Sequence, residues 1–175
     1  DFPKAMKPLC GKPILSYVLK SLSFLDKIDI TVVVGYKREK VFEAFDGYDF
    51  VIQKEQLGTG HAVKVCEKSF EGYNGPVLIM LGDMPMFKQQ TLLDMFAMHK
   101  KTGGCVILTA ISERKLPYGR IVRDENGKFI GVVEEKDCTP EQKLIKELNP
   151  SIYVFDAKQL FSALGELRSD NAQKE

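Results

Sequence analysis

The order of apolar and polar positions predicts alternating helices and strands over the first hundred residues. Between residues 13 and 24 the apolar side chains recur at every third or fourth position, which is the spacing of one helix face. Residues 28–34 form a β-branched run that ends at Gly35, a pattern typical of a buried strand. Predicted helices cover residues 13–24, 38–45, a stretch that follows Gly58, and 89–101, and predicted strands cover 28–34, 50–52 and 76–81. Such alternation predicts a mostly parallel sheet covered by helices.

The second half of the chain has a different pattern, with strands that follow one another and little helix between them. Asn126-Gly127 separates two of these runs and is a strong hairpin signal. A short surface helix is predicted at 139–145, with Pro140 in its first turn. The predicted strands here are 105–111, 120–122, 129–133 and 152–155. The fold class that follows is α/β, a Rossmann-like mixed, mostly parallel sheet covered by helices, with a small antiparallel extension.

Composition and charge limit the function classes. The chain has 175 residues, of which 44% are hydrophobic and 28% charged, values typical of one soluble globular domain. A formal net charge of +1 gives no support to nucleic acid or an anionic membrane as the main partner. No apolar run approaches the ~18 residues that span a bilayer, and the four cysteines form no Cys-x-x-Cys pair. We therefore expect a reduced, cytoplasmic setting without a zinc site.

A candidate nucleotide-binding segment lies at residues 53–62, where amides and glycines precede a helical pattern. Glycine at positions 58 and 60 lets the backbone approach a planar ligand, and the Thr59 hydroxyl is positioned to cap the helix. Gln53 supplies both a donor and an acceptor, as a uracil edge requires. The alternative is an ordinary strand-to-helix turn. For His61, in the first turn of that helix, a structural role is favoured over a catalytic one.

Two charged residues are candidates for phosphate chemistry. Asp83 directly follows the apolar strand pattern, and ligands of open α/β sheets bind beyond the carboxyl ends of strands. A carboxylate there can hold a divalent cation of the Mg²⁺ class, although an Asx turn would use the same residue. Lys4, with Lys7 and Lys12 close behind it, is a candidate phosphate clamp, and a solvated basic face is the alternative.

Gln-Lys-Glu-Gln-Leu-Gly-Thr-Gly-His-Ala, the sequence of residues 53–62, resembles a signature of the uridyltransferase domain of the bacterial bifunctional enzymes that make UDP-N-acetylglucosamine. Further matches follow in family order over nearly the whole chain. They are Phe2-Pro3-Lys4, residues 9–13, Leu81-Gly82-Asp83-Met84-Pro85, Tyr118-Gly119-Arg120-Ile121, residues 133–137, Glu147-Leu148-Asn149 and Asn171-Ala172-Gln173. The resemblance implies transfer of a uridylyl group from UTP to N-acetylglucosamine 1-phosphate, with release of pyrophosphate and with Mg²⁺ as cofactor.

The resemblance also implies site residues. The matching positions are Lys4, Gln53, Gly58 and Thr59 for the nucleotide, Gly119, Glu134 and Asn149 for the sugar, and Asp83 and Asn171 for the metal, with Lys4 and Asp83 catalytic. Lys7 and Lys12 match no such position. Two departures stand out: Pro150-Ser151 follows Asn149 where the family has Thr-Gly, and Leu81 replaces a frequent Tyr or Ser. The first departure predicts a changed orientation of Asn149 and an altered choice of sugar.

Alternative functions remain open at the level of sequence. They are a glucose 1-phosphate uridylyl- or thymidylyltransferase and a nucleotide-binding module without turnover. The family begins with a strand and a Gly-rich loop that are not found in this sequence, so we expect residues 1–175 to be a single nucleotidyltransferase domain truncated at both ends. The resemblance further implies that the full protein continues into a β-helix acetyltransferase domain and forms a homotrimer.

Overall fold

Helices and strands alternate along the first hundred residues because apolar positions switch between helical and strand spacing. The structure is a computed structural model that describes residues 3–166. Its helices are α1 (Ile14–Ser21), α2 (Glu39–Ala44), α3 (Gly58–Lys64), α4 (Gln89–Thr102) and α5 (Ala157–Gly165). Its strands are β1 (Pro8–Leu9), β2 (Lys12–Pro13), β3 (Thr31–Val34), β4 (Asp49–Ile52), β5 (Pro76–Ile79), β6 (Val106–Ile107), β7 (Ala110–Ile111), β8 (Gly119–Arg123), β9 (Phe129–Val133), β10 (Glu147–Asn149) and β11 (Tyr153–Asp156).

The strands form a mixed α/β arrangement, which confirms the predicted class. Strands β3 and β4 pair in parallel, with Val32 opposite Phe50. Strand β11 lies between β5 and β6 and is antiparallel to both, so β5 and β6 run in the same direction with α4 as their crossover. Among the described residues, β3 and β4 are therefore the one pair of strands that is hydrogen-bonded in parallel. The prediction of a mostly parallel sheet was wrong in this respect. The reason is that a strand from the far end of the described chain separates the two helix-linked strands.

The predicted antiparallel extension is confirmed as a sheet in the order β7-β10-β8-β9. Strands β8 and β9 form the predicted hairpin, and Gly127 takes a φ of +78° in its turn. The Asp124 side chain accepts hydrogen bonds from the backbone N–H groups of Asn126 and Lys128, which closes the turn. The single strand predicted at 105–111 divides into β6 and β7, which belong to different sheets, so the chain crosses between the sheets there.

Three apolar clusters hold the elements together. The first joins α1 to β3, with Leu15 and Leu19 buried against Val34. The second joins α4 to β11, where Leu92 and Val154 are fully buried. Burial of one such side chain stabilises the fold by about 1.5–3 kcal/mol. The third joins α5 to β5 through Leu160, Leu164 and Val77.

Three remaining observations concern the described residues as a whole. The helix predicted at 139–145 is reduced to a short 3-10 helix at Gln142–Leu144. None of the helices in residues 3–166 is long and apolar enough to cross a membrane. The four cysteines carry free thiols, and of these Cys66 and Cys138 are buried.

Candidate active site

Lys4 and Asp83 form an ion pair. Lys4 begins a short 3-10 helix at Lys4–Met6, which the buried side chain of Met6 attaches to the first apolar cluster. Asp83 lies in the turn after β5, and a Cβ atom added at the preceding Gly82 would stand 3.9 Å from Cβ of Ala5 in the 3-10 helix. This close approach sets the turn beside the 3-10 helix. The Lys4 Nζ atom lies 2.5 Å from Asp83 Oδ2.

The pair is partly open to solvent, with 77% of the Lys4 side chain and 21% of the Asp83 side chain exposed. The hydrogen bond to Asp83 and its negative charge raise the pKa of Lys4 above its ordinary value. Burial of the ammonium group acts in the opposite direction, and the charge of Tyr118 adds a smaller increase in the pKa of Lys4.

The segment with Gln53 lies at the end of the β3–β4 ladder. The backbone N–H of Gln53 donates to the carbonyl oxygen of Val34 at 2.8 Å, which continues the ladder beyond β4. Its side-chain Nε2 donates to the Gly58 carbonyl oxygen at 3.1 Å and lies 3.0 Å from Nδ1 of His61. Gly58 has a φ of +91°, which confirms that this position needs glycine. His61 therefore hydrogen-bonds the Gln53 amide, which is consistent with the structural role favoured for it.

The prediction that Thr59 caps the following helix is wrong. Helix α3 begins at Gly58, its N-cap residue is Leu57, and no side chain provides a cap hydrogen bond. Thr59 is the second residue of α3, and it is exposed. Gly60 lies inside the same helix and has an ordinary helical backbone. Of the two glycines, only Gly58 has the positive φ that glycine favours. The hydroxyl of Thr59 is accessible to a ligand.

The structure brings Gly119, Glu134 and Asn149 together. Gly119 opens β8 and stands opposite Asn149 of β10 in the ladder. A Cβ atom added at Gly119 would lie 3.3 Å from Oε1 of Glu134 and 3.1 Å from Cγ1 of Val132. Any side chain at this position would therefore crowd the Glu134 carboxylate. The resemblance grouped these three residues, and their proximity in the structure agrees with that grouping.

Asn149 is buried and already hydrogen-bonded. Its side chain is 2% exposed, Nδ2 donates to the Tyr153 hydroxyl at 2.7 Å, and Oδ1 accepts from the Ser151 backbone N–H at 3.1 Å. A carboxamide has one more hydrogen and one more lone pair to offer. Ser151 has a φ of +59°, the left-handed region, at the position where the family has glycine. The departure after Asn149 therefore keeps the backbone form that glycine favours.

Arg120 was not singled out from the sequence and is nonetheless a buried charge beside the site. It is 4% exposed, and its Nη1 donates to the carbonyl oxygen of Tyr118. Among the described residues its Nε has no hydrogen-bond partner. Arg120 thus holds the backbone of Tyr118, directly before Gly119 of the proposed sugar site. The sequence signal that could have identified Arg120 is its position in the Tyr118-Gly119-Arg120-Ile121 match to the family.

Of the two predicted metal ligands, only Asp83 lies within the described residues. Asn171, the second predicted ligand, lies outside the described residues, and within residues 3–166 no three His, Cys, Asp or Glu side chains cluster as metal ligands. The Asp83 carboxylate nevertheless binds a positive group in this structure, because it forms an ion pair with the Lys4 ammonium group. Mg²⁺ is commonly bound by one or two carboxylates together with substrate phosphates. The donor chemistry at Asp83 fits such an ion.

A carboxylate after a strand, a nearby lysine and a glycine-containing loop on an α/β sheet form an arrangement that suits the binding of nucleotide phosphates. The sequence profile of the MobA-like NTP transferase domain matches residues 1–175. The chain belongs to this family of nucleotidyltransferases.

The chain is also similar to several proteins named bifunctional protein GlmU. The chain is 39% identical over 176 residues to the bifunctional protein GlmU of Pelobacter propionicus, covering 98% of this chain and 38% of that protein. It is 42% identical over 176 residues to the bifunctional protein GlmU of Caldanaerobacter subterraneus subsp. tengcongensis, covering 99% of this chain and 38% of the relative. The chain thus spans about two-fifths of the length of these relatives.

Solved structures agree on the fold. A UDP-glucose pyrophosphorylase complexed with UDP-glucose superposes with a TM-score of 0.75 at 18% identity, covering 98% of this chain and 74% of that chain. A putative glucose-1-phosphate thymidylyltransferase from Bacillus anthracis superposes with a TM-score of 0.74 at 20% identity, covering 94% and 70% of the two chains. At these identities the likeness concerns the fold alone.

Proposed function

We propose that residues 1–175 form one nucleotidyltransferase domain that transfers a uridylyl group from UTP to N-acetylglucosamine 1-phosphate and releases pyrophosphate. The observation that carries the proposal is the contact between Lys4 and Asp83 at the turn after β5. It brings together the cation proposed to bind the phosphates and the carboxylate proposed to bind the metal ion, and both would act on the reacting phosphates. Relatives named bifunctional protein GlmU, at 39–42% identity, support this choice of reaction.

The residues of the chain act mainly by positioning and by charge. The sugar phosphate is already an anionic nucleophile, so no base has to remove a proton from it, and orientation and electrostatic relief carry the reaction. Lys4 has an exposed side chain that can leave Asp83 and donate to the nucleotide phosphates. Mg²⁺, when bound, would neutralise charge on the reacting phosphates. Asp83 would hold the ion, and Asn171 is the proposed second ligand.

The nucleotide base would lie against the segment from Gln53 to Thr59. Gly58 lacks a side chain and has a backbone form that brings the chain close to a planar ring. Gln53 would hydrogen-bond the base edge, and the exposed Thr59 hydroxyl is available to the nucleotide. A uracil edge needs an acceptor for its N3–H, which the Gln53 oxygen can supply.

The sugar would occupy the space beside Gly119. Because a Cβ there would lie 3.3 Å from the Glu134 carboxylate, glycine keeps room for a ligand next to an acceptor of hydroxyl hydrogens. Asn149 would add its remaining hydrogen and lone pair. With its other bonds already made to Tyr153 and Ser151, Asn149 is preorganised and does not have to be ordered by the ligand.

The setting of the protein is part of the proposal. We infer a cytoplasmic enzyme, because the four cysteines carry free thiols and the chain resembles enzymes that make UDP-N-acetylglucosamine. Neither nucleic acid nor a membrane is a proposed partner. Assembly of the full-length protein into a homotrimer is likewise proposed from the resemblance.

The test is pyrophosphate release by the full-length protein with Mg²⁺ and UTP. N-acetylglucosamine 1-phosphate should support turnover at least about tenfold faster than glucose 1-phosphate, because hydrogen-bonding sites discriminate strongly. Asp83→Ala should reduce the rate to below about a tenth, since an ion on a reacting phosphate supplies several kcal/mol. A circular dichroism spectrum like that of the wild type would exclude misfolding as the cause. Faster turnover with glucose 1-phosphate, or full activity in Asp83→Ala, would refute the proposal.

A further inference from the structure

Two hydrogen bonds determine which end of the Gln53 carboxamide is left for a ligand. Its Nε2 atom lies 3.1 Å from the carbonyl oxygen of Gly58. A carbonyl oxygen has no hydrogen to give, so the amide must direct its NH₂ group toward it. The opposite orientation would set two oxygen atoms against each other. Gln53 is therefore a donor toward its own loop.

His61 accepts the second hydrogen of the same group. Its Nδ1 lies 3.0 Å from Nε2 of Gln53. Because Nε2 only donates, Nδ1 must accept, and the proton of the neutral imidazole is carried by the other ring nitrogen. His99, the second histidine of the chain, is the reverse case, because its Nδ1 lies 2.8 Å from the Gly104 carbonyl oxygen and must donate. The two imidazoles are thus opposite tautomers.

We propose that His61 is a positioning residue for base recognition, which together with Gly58 holds both hydrogens of Gln53 Nε2 and so presents Gln53 Oε1 to the base as a fixed acceptor. The inference rests on the proposed function, since it requires a base at this segment. Uracil and thymine have an N–H at ring position 3, whereas cytosine has an unprotonated nitrogen there. A fixed acceptor oxygen that faces ring position 3 therefore favours uracil and thymine over cytosine. Without His61 only the bond to Gly58 holds the carboxamide, so Oε1 is less firmly fixed in the position that faces the base.

The kinetic test uses the full-length protein with His61→Ala and His61→Asn. In His61→Ala the KM for UTP should rise about fivefold or more, the expected effect of one lost hydrogen bond that orients a binding group. The KM for the sugar 1-phosphate and kcat should change little, and the preference for UTP over CTP should narrow. His61→Asn should restore the wild-type values, because its side-chain oxygen can accept where Nδ1 did. His99→Ala is the matched control and should leave all constants unchanged.

A second measurement does not depend on turnover. Nitrogen-15 NMR of the imidazoles, assigned by comparing the wild type with His61→Asn and His99→Ala, reports which ring nitrogen carries the proton. We expect an unprotonated Nδ1 in His61 and a protonated Nδ1 in His99. Protonated Nδ1 in neutral His61 would overturn the proposal, because that nitrogen could not accept from Gln53.

The outcomes separate this inference from the proposed function. An active wild type whose UTP kinetics survive in His61→Ala would refute the role of His61 alone, as would equal defects in His61→Ala and His61→Asn. A wild-type protein that fails to bind UTP would overturn the proposed function, and the base-recognition role would fail with it. Raised KM for UTP in His61→Ala with rescue by His61→Asn supports both.

Discussion

The ammonium group of Lys4 lies 2.5 Å from the carboxylate of Asp83, so the proposed phosphate-binding cation and the proposed metal ligand neutralise one another. The ammonium occupies the position on Asp83 where a metal ion would bind. A metal ion on Asp83 would therefore have to compete with Lys4 for the same carboxylate in the absence of nucleotide. A triphosphate would draw Lys4 to its own oxygens and free Asp83, which couples binding of the ion to binding of the nucleotide.

Lys4→Met is expected to separate these two roles. Removal of the competing cation should tighten Mn²⁺ binding to the nucleotide-free protein, while the loss of a phosphate contact should lower turnover by at least about tenfold. Calorimetry with Mn²⁺ and a pyrophosphate-release assay give the two readouts. Lys7→Met is the matched control, because Lys7 is also exposed and matches no functional position in the family. Unchanged Mn²⁺ affinity in Lys4→Met would disprove the competition.

Gln53→Glu tests the nucleotide segment without removing bulk. The substitution sets a carboxylate oxygen against the Gly58 carbonyl oxygen, at a position where Nε2 now donates across 3.1 Å. Repulsion of these oxygens should displace the segment and lower kcat/KM for UTP. The expected loss of transition-state stabilisation is about 1–3 kcal/mol. Gln56→Glu, in the same segment, is the control. Wild-type UTP kinetics in Gln53→Glu would remove Gln53 from the site.

Elements with a local signal could be predicted, and those that depend on distant partners could not. The Asn126-Gly127 hairpin follows from two residues, and Gly58 has the left-handed backbone that its motif suggested. Strand β10 is only three residues long and has no period to read, since its pairing with β7 and β8 defines it. Helix α5 did carry a readable signal. Asp156 caps it through a bond from the Gln159 backbone N–H, and apolar residues follow at helical spacing.

The candidate site shows the same division. The segment from Gln53 to His61 is short, so sequence alone placed its members together. The ion pair of Lys4 with Asp83 joins residues from distant parts of the chain, and only the resemblance suggested that both serve one site. Thr59 shows the limit of local reasoning: its residue type favours a cap, but the helix begins one residue before it.

Glu134→Ala and Asn149→Ala are expected to differ although both residues are assigned to the sugar. Glu134 is exposed, so its truncation should weaken sugar 1-phosphate binding by about 1–3 kcal/mol and leave stability unchanged. Asn149 is buried and bonded to Tyr153, so its truncation should also lower the free energy of unfolding by about 1–3 kcal/mol. Substrate titrations and urea unfolding measure the two effects. Equal weakening of UTP and sugar binding in Glu134→Ala would contradict its assignment.

The buried thiol of Cys66 predicts a pH dependence of stability. Burial, with a smaller effect of the Asp49 charge, raises the pKa of Cys66 to about 11. In the unfolded chain the thiol loses its proton near pH ~8.5. The folded state therefore keeps a proton that the unfolded state releases, and stability falls as pH rises between these values. Urea unfolding of the wild type and Cys66→Ala across this range should give a steeper loss in the wild type, and parallel curves would contradict the burial.

Ser151 predicts how the turn after Asn149 responds to substitution. Its φ of +59° is costly for a residue with a side chain, by about 1–2 kcal/mol, and more so for a β-branched one. Ser151→Gly should therefore be tolerated or stabilising by up to about 1 kcal/mol, because the gain exceeds the added entropy of the unfolded chain. Ser151→Val should destabilise by about 1–2 kcal/mol.

The same turn sets the position of Asn149, because the Ser151 backbone N–H donates to its Oδ1. Ser151→Gly preserves that backbone donor and should leave the KM for the sugar 1-phosphate unchanged, whereas Ser151→Val should displace the donor and raise it. Urea unfolding and substrate titration of both variants test the two halves of the argument. A stable Ser151→Val protein with wild-type sugar kinetics would show that Asn149 keeps its position without the left-handed turn, and the departure from Thr-Gly would then have no bearing on sugar binding.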